Sequence, residues 1–170
     1  MGSGKGFGTP EDATDRRAVT KRSVDAASGT PTLRVKKLDE RAQLPTREHP
    51  TDAGLDLFAL EGKTMPPKTV HAFRTGLATA FPPGFALLIW DRSGLAVKHG
   101  LHRLAGVIDC SYRGELQVVI VNLGDRSVDV KAGDRIAQAL LTPVAIPNIA
   151  LVEDLDDTKR GTSGFGSSGR

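Results

Sequence analysis

The sequence predicts an all-β domain of the jelly-roll kind with one short helix, and three observations predict it. From residue 33 onward the apolar residues fall into short runs of strand length. Glycine and proline break those runs at roughly even spacing. Only one stretch, residues 93–98, reads as helical, and it is short. Many short strands separated by regular turn signals are the pattern of a β-sandwich or barrel.

The strands are expected, in order, at residues 33–38, 55–59, 69–73, 77–81, 85–90, 106–108, 116–122, 127–130 and 136–142. Turn residues separate them at Met65-Pro66-Pro67, Phe81-Pro82-Pro83-Gly84, Leu123-Gly124-Asp125 and Lys131-Ala132-Gly133-Asp134. Pro presets the turn dihedral and Gly supplies positive φ, so these clusters end strands for physical reasons. Residues 135–146 carry enough apolar side chains to suggest a second helix. Their β-branched residues and the prolines Pro143 and Pro147 favour a strand instead.

The ends of the chain read differently from the middle. Residues 1–8 are rich in Gly and Ser, and residues 11–25 mix charges without apolar periodicity. The expectation for residues 1–30 is a disordered extension. It lacks the apolar stretch of a secretory signal. Arg16, Arg17, Lys21 and Arg22 would suit an organelle-targeting segment, but Glu11, Asp12, Asp15 and Asp25 argue against one. The Met1-Gly2-Ser3-Gly4 start would suit an expression leader. Residues 31–152 form the expected β domain. Residues 153–170 are an acidic link (Glu153, Asp154, Asp156, Asp157) followed by a Gly-rich tail from Arg160 to Arg170.

Composition excludes several functions. The chain has 170 residues, 23 basic and 20 acidic, for a net charge of +3. The charges are interspersed, so there is no basic stripe for duplex nucleic acid. No apolar run approaches the ~18 residues of a membrane helix. A single cysteine, Cys110, excludes an internal disulfide and a four-cysteine zinc site. His49, His71, His99 and His102 show no ligand spacing. The expectation is a cytoplasmic protein, or an organellar or nuclear one if the chain is eukaryotic, with no stable nucleic-acid or membrane partner.

Five segments carry residues with chemical capacity. Asp56, in Asp52-Ala53-Gly54-Leu55-Asp56-Leu57, would serve a hydrated Mg²⁺, which takes one or two carboxylates and keeps its waters. Arg92, Ser93 and Gly94 open the short helix, where free N–H groups attract an anion. Asp109 ends an apolar run, a place from which a carboxylate takes a proton from water, and Tyr112 follows to lie against a sugar or base. Gln138 is an amide inside an apolar strand and needs a partner if buried. In the tail, Arg160 suits bidentate phosphate pairing and Phe165 suits stacking on a base. Taken singly, each reads more simply as a turn, a cap, an edge residue or a solvated terminus. Cys110 lacks a neighbouring base and is a poor candidate nucleophile.

Their order is far more specific. Ala53-Gly54-Leu55-Asp56-Leu57, Arg92-Ser93-Gly94-Leu95-Ala96, the run from Gly106 to Glu115, Gly133-Asp134-Arg135-Ile136-Ala137-Gln138 and the run from Arg160 to Gly169 resemble the five ordered motifs of the trimeric dUTP pyrophosphatase (dUTPase) family. The resemblance covers residues 33–169. It implies a homotrimer with three active sites shared between subunits, and Mg²⁺-dependent hydrolysis of dUTP to dUMP and pyrophosphate. That reaction keeps uracil out of DNA and supplies dUMP for thymidylate synthesis. It implies that Asp109 activates the attacking water, that Tyr112 lies under the deoxyribose, and that Asp56 reaches the metal through water. It implies phosphate contacts from Arg92, Ser93, Gly94 and Gln138. Arg160 and Phe165, with Gly166, Ser167 and Ser168, correspond to a lid that clamps phosphate and stacks on uracil.

Uracil itself is best read by backbone groups, and a tight hairpin around Leu104, Gly106, Val107 and Ile108 would present them and exclude a 5-methyl group. Arg103 stands where some members carry an asparagine that reads the base, and Ser163 stands where glycine is commoner. A related dCTP deaminase would need an acid about ten residues beyond Asp109. Val119 occupies that place, and no acid lies between Glu115 and Asp125. A non-catalytic nucleotide sensor on the same scaffold is the other alternative, since fold alone does not fix function.

Overall fold

The computed structural model describes Met1, residues 29–158 and residues 161–162. The chain divides into two compact units, Met1–Thr30 and Pro31–Arg170. The expected disordered extension falls, apart from Met1, Gly29 and Thr30, outside the described residues. In the second unit the elements are β1 (Arg34–Lys37), β2 (Leu55–Phe58), β3 (Lys63–Met65), β4 (Val70–Arg74), β5 (Leu77–Ala80) and β6 (Phe85–Trp90). They continue with α1 (Ser93–His99), β7 (Leu101–Arg103), β8 (Val107–Asp109), β9 (Gln117–Asn122), β10 (Val128–Val130) and β11 (Arg135–Pro143). The expected all-β class with one short helix is what the structure shows.

Two sheets make the body. One has the order β2-β11-β6-β8 and the other β4-β9-β7, with the pairs β1-β5 and β10-β3 beside them. Every paired strand runs antiparallel. Leu57, Leu87, Ile89, Ala137 and Ala139 from the first sheet meet Phe73, Val118 and Ile120 from the second in one buried cluster. The β-branched and aromatic residues of these strands suit a pleated, half-buried surface. Burial of each such side chain is worth about 1.5–3 kcal/mol.

Two buried polar side chains are fully satisfied, as interior polar groups must be. Thr75 Oγ1 donates to the Leu116 carbonyl at 2.6 Å. Asn122 donates to the carbonyls of Met65 and Arg126, each at 2.8 Å, and accepts from the Gly124 N–H at 2.9 Å. Asn122 thereby ties the Leu123-Gly124-Asp125 turn to the end of β3.

The helix α1 starts at Arg92, which takes extended dihedrals (φ −89, ψ 121) and makes no side-chain cap bond. It stops at Gly100, whose φ of 65 is left-handed and whose N–H returns to the Ala96 carbonyl. Lys98 and His99 occupy the last turn, the favourable end for cations.

Residues 135–143 are one strand, as the prolines predict, with a bulge between Arg135 and Ala137. One expectation is corrected. Residues 104–108 are not a tight hairpin, because β7 pairs with β9 in one sheet and β8 with β6 in the other. The segment is a corner between sheets. β8 and β9 likewise sit in different sheets, so Asp109 does not form a hairpin turn between them.

Candidate active site

The register of three neighbouring strands builds the first half of the site. In β11, Gln138 lies opposite Asp56 of β2 on one side and Trp90 of β6 on the other. Arg92, Ser93 and Gly94 follow β6 after Asp91. Together with Glu48, Asp52 and Gly54, these residues line a cavity of about 380 Å³. Asp52 is turn chemistry there: its carboxylate accepts the His49 N–H at 2.9 Å. Asp56 is not. Its side chain is 13% exposed and meets Arg92 Nε at 2.9 Å and Arg135 Nη1 at 3.3 Å. Arg135 also pairs with Glu48 at 2.6 Å. The Glu48 hydrogen bond, followed by the Asp56 charge, raises the Arg135 pKa above its ordinary value.

Gln138 is half-buried and satisfied, since Nε2 donates to the Asp91 carbonyl at 2.8 Å. Its amide fills the space beside Gly54, where a Cβ would overlap the side-chain carbonyl oxygen. Ser93 and Gly94 are exposed at the mouth. The first helical hydrogen bonds are made by the Leu95 and Ala96 N–H groups to the Arg92 carbonyl, which leaves the preceding N–H groups outside the helical ladder. Arginines pinned by one carboxylate, with free N–H groups beside them, make a place for a polyphosphate.

The residues also fit Mg²⁺, in a particular way. Among the described residues no three His, Cys, Asp or Glu side chains converge on a metal position. Asp56 is committed to two guanidinium groups. That donor set suits a hydrated Mg²⁺ carried by phosphate oxygens, with one carboxylate reaching it through water, rather than a cage of protein ligands.

The remaining candidate residues lie at the other end of β6. Asp109 ends β8, is exposed, and pairs with Ala86. Ala86 and Trp90 are separated by roughly 13 Å along the strand at ~3.3 Å per residue. One chain therefore brings Asp56, Arg92, Ser93, Gly94 and Gln138 together, but does not bring Asp109 to them. Tyr112 is 44% exposed. Its N–H donates to the Asp109 carbonyl at 3.1 Å and its hydroxyl to the Glu115 carbonyl at 3.0 Å. The ring crosses the backbone at Gly114, where a Cβ would overlap it. Glu115 pins this turn to the body through Arg74 Nε at 3.0 Å and the Gly76 N–H at 2.8 Å. Cys110 is half-buried against the core.

Leu104 and Val107 are exposed, while Ile108 packs on the core. β8 is the outer strand of its sheet, so alternate backbone groups along it face away from β6. Arg160, Phe165, Gly166, Ser167 and Ser168 lie outside the described residues. Sequence reasoning assigned no role to Glu48, Asp91 or Arg135. Arg135 stood inside a quoted motif and Asp91 immediately before one, and a charged residue at the border of an apolar strand was the available signal.

Comparison with known proteins agrees with this geometry. A family model described as dUTPase matches residues 40–169. The deoxyuridine 5'-triphosphate nucleotidohydrolase of Arabidopsis thaliana is 43% identical over 143 residues, 84% of this chain and 86% of that protein. The mitochondrial deoxyuridine 5'-triphosphate nucleotidohydrolase of Homo sapiens is 40% identical over 168 residues, 98% of this chain and 67% of that protein. A Staphylococcus bacteriophage 80alpha dUTPase solved with dUpNHpp superposes with a TM-score of 0.78 at 32% identity, covering 83% of this chain and 100% of that one. A mutant dUTPase from phage phi11 of S. aureus, whose structure reveals the coordination of a structural Mg(II) ion, superposes with a TM-score of 0.69 at 29% identity, covering 74% of this chain and 99% of that one.

Proposed function

The chain belongs to the dUTPase family, and from that premise we infer that it hydrolyses dUTP to dUMP and pyrophosphate. The observation that carries this reading is the convergence of Asp56, Arg92, Ser93, Gly94 and Gln138, from three separate motifs, on one cavity. Phosphoryl transfer asks little covalent chemistry of a protein. It asks for positioning, neutralised charge and a water held in line. Here Arg92, the helix-opening N–H groups of Ser93 and Gly94, and the Gln138 amide hold the phosphates. Asp56 would hold a phosphate-borne Mg²⁺ through its waters, and the ion would supply charge neutralisation on the phosphates. Asp109 accepts a proton from a water that attacks the α-phosphorus. The bond from that phosphorus to the bridging oxygen breaks, and pyrophosphate leaves.

Tyr112 backs the deoxyribose and leaves no room for a 2′-hydroxyl. Leu104, Gly106, Val107 and Ile108 frame the uracil, Leu104 and Gly106 from the corner and Val107 and Ile108 from β8, the outer strand of its sheet. Thymine is rejected by its methyl group, and cytosine by the polar groups it would leave unpaired. The tail, through Arg160, Phe165, Gly166, Ser167 and Ser168, closes over the nucleotide.

A homotrimer supplies what one chain lacks. Asp109 and the phosphate cavity lie at opposite ends of β6, so a second copy must bring the missing half to each. Residues 144–158 form no helix or strand, and Ile146, Ile149, Leu151 and Leu155 are almost fully exposed along them. An apolar arm of this kind is covered by assembly. Among the described residues no helix is long and apolar enough to cross a membrane.

The test incubates the protein with Mg²⁺ and dUTP, dCTP, dTTP or UTP separately, and resolves products by ion exchange. Release of dUMP and pyrophosphate from dUTP alone is expected. Deaminated product from dCTP would overturn the reading in favour of a deaminase. A folded trimer that turns over none of the four would overturn it in favour of a sensor.

A further inference from the structure

Three features of the site hang from two residues at the end of β6. Both carboxylate oxygens of Asp91 are spent on the last residues of β7: Oδ1 accepts the Arg103 N–H at 2.8 Å and Oδ2 meets His102 Nδ1 at 2.6 Å. The Asp91 backbone carbonyl accepts Gln138 Nε2 at 2.8 Å. The guanidinium of Arg103 lies over the Trp90 ring, its Cζ 4.5 Å from the centroid. Its Nε is buried with no hydrogen-bond partner among the described residues, so stacking holds that nitrogen in place.

The corner that follows is fastened on the same strand. The Ile89 N–H donates to the Gly106 carbonyl at 2.7 Å, and the Leu104 N–H donates to the Val119 carbonyl at 3.0 Å. Gly106 has no room for a side chain: a Cβ would stand 2.6 Å from the Ile89 carbonyl oxygen and 3.3 Å from Arg103 Nη1. Residues 103–106 are thus gripped from both ends, and Asp91 makes the grip at the first.

We propose that Asp91 is a positioning residue for base selection: its carboxylate locks the β7–β8 corner, and so fixes the edge of β8 that meets the nucleobase. The proposal rests on the reading that residues 104–108 frame uracil. Shape-based exclusion of one methyl group demands a frame held to a fraction of an ångström. Loss of the lock loosens the frame and admits thymine. The phosphate side stays intact, because Gln138 bonds the Asp91 main chain and no side-chain substitution removes that acceptor.

The test compares Asp91→Ala and Asp91→Asn with the unaltered trimer. Two quantities are read: amide hydrogen exchange over residues 101–108, and the ratio of kcat/KM for dUTP to kcat/KM for dTTP. Asp91→Ala is expected to speed exchange in that segment and lower the ratio, each by about tenfold, the scale of one lost charge-assisted hydrogen bond. The dUTP change is expected in KM, with kcat within about threefold. Asp91→Asn keeps an oxygen acceptor for the Arg103 N–H and is expected to restore most of both. Unchanged exchange in Asp91→Ala overturns the lock. Equal losses for dUTP and dTTP overturn the positioning role and leave only a structural one. Faster exchange with neither kcat/KM altered overturns the base-framing reading of residues 104–108 while the lock itself survives.

Discussion

A methyl group added at Gly54 tests the phosphate cavity without touching any residue that carries charge. Gly54 is not in the left-handed region, so alanine brings no backbone strain there. Its Cβ, however, would overlap the Gln138 side-chain oxygen and lie 3.1 Å from Gln138 Cδ and 3.3 Å from its Cβ. The cheap relief is rotation of the Gln138 amide, which breaks its 2.8 Å bond to the Asp91 carbonyl and takes its N–H groups out of the cavity. A neutral bond of this kind contributes about 1 kcal/mol to stability, so Gly54→Ala should melt only slightly below the parent. A bond from that amide to a charged phosphate is worth about 1.5–3 kcal/mol, so kcat/KM for dUTP should fall roughly 10- to 150-fold. The decisive assay is a double-mutant cycle with Gln138→Ala, read by initial rates of pyrophosphate release. If both changes act through the same amide, the double variant is no worse than either single one. Additive losses, or an unaltered kcat/KM in Gly54→Ala, would refute the link from Gly54 through Gln138 to phosphate.

Asp109→Asn should retain dUTP binding and lose turnover by at least about a hundredfold, because a carboxamide does not accept the water's proton; a near-normal kcat sinks the base assignment. Asn122→Ala should strand the Met65 and Arg126 carbonyls and the Gly124 N–H. The cost is about 3 kcal/mol, or a fall in Tm of roughly 10 °C by calorimetry, and a change below ~3 °C would contradict it. Asp39 is held at about 2 rather than 3.8, chiefly by its hydrogen bond from the Arg41 side chain. A depressed carboxylate stabilises the fold above its unfolded pKa, and that contribution is lost as pH falls from 3.8 through about 2. Asp39→Asn should therefore flatten the acid limb of the stability curve in that window, and an unchanged limb in urea titrations would contradict the pairing. Deleting residues 158–170 should leave the trimer intact by size exclusion and cripple hydrolysis; loss of the trimer would show that the tail also holds the assembly.

The strands that could be read from the sequence are those with enough apolar residues to show a pattern. Residues 85–90 match β6 to the residue, and residues 116–122 contain the whole of β9. The two strands that escaped are short and polar. β3 is Lys63-Thr64-Met65 and buries only Met65, and β7 is Leu101-His102-Arg103 and buries only Leu101. A three-residue strand with one apolar side chain has no period to detect. Missing β7 had a consequence. Without it, residues 104–108 looked like a hairpin tip, when the chain there crosses from one sheet to the other.

The site divides along the same line. Asp56 and Gln138 were legible as polar groups inside apolar runs, and Arg92 as a charged group just past one. Their convergence was not legible, since it depends on β11 pairing with both β2 and β6, contacts far apart in sequence. Asp91 and Arg135 were overlooked because an acid beside an arginine, and an arginine opening a strand, read as ordinary surface charge. Only the fold shows that Asp91 spends both oxygens on β7 and that Arg135 shares Asp56 with Arg92. A motif names the groups a reaction needs, and strand register decides which of them share a cavity. Asp109, placed beside Ala86 rather than beside Arg92, is the residue on which that difference turns. It is a catalytic candidate on chemical grounds and an isolated surface acid in a single chain, and both descriptions hold once the site is taken as the joint product of two copies.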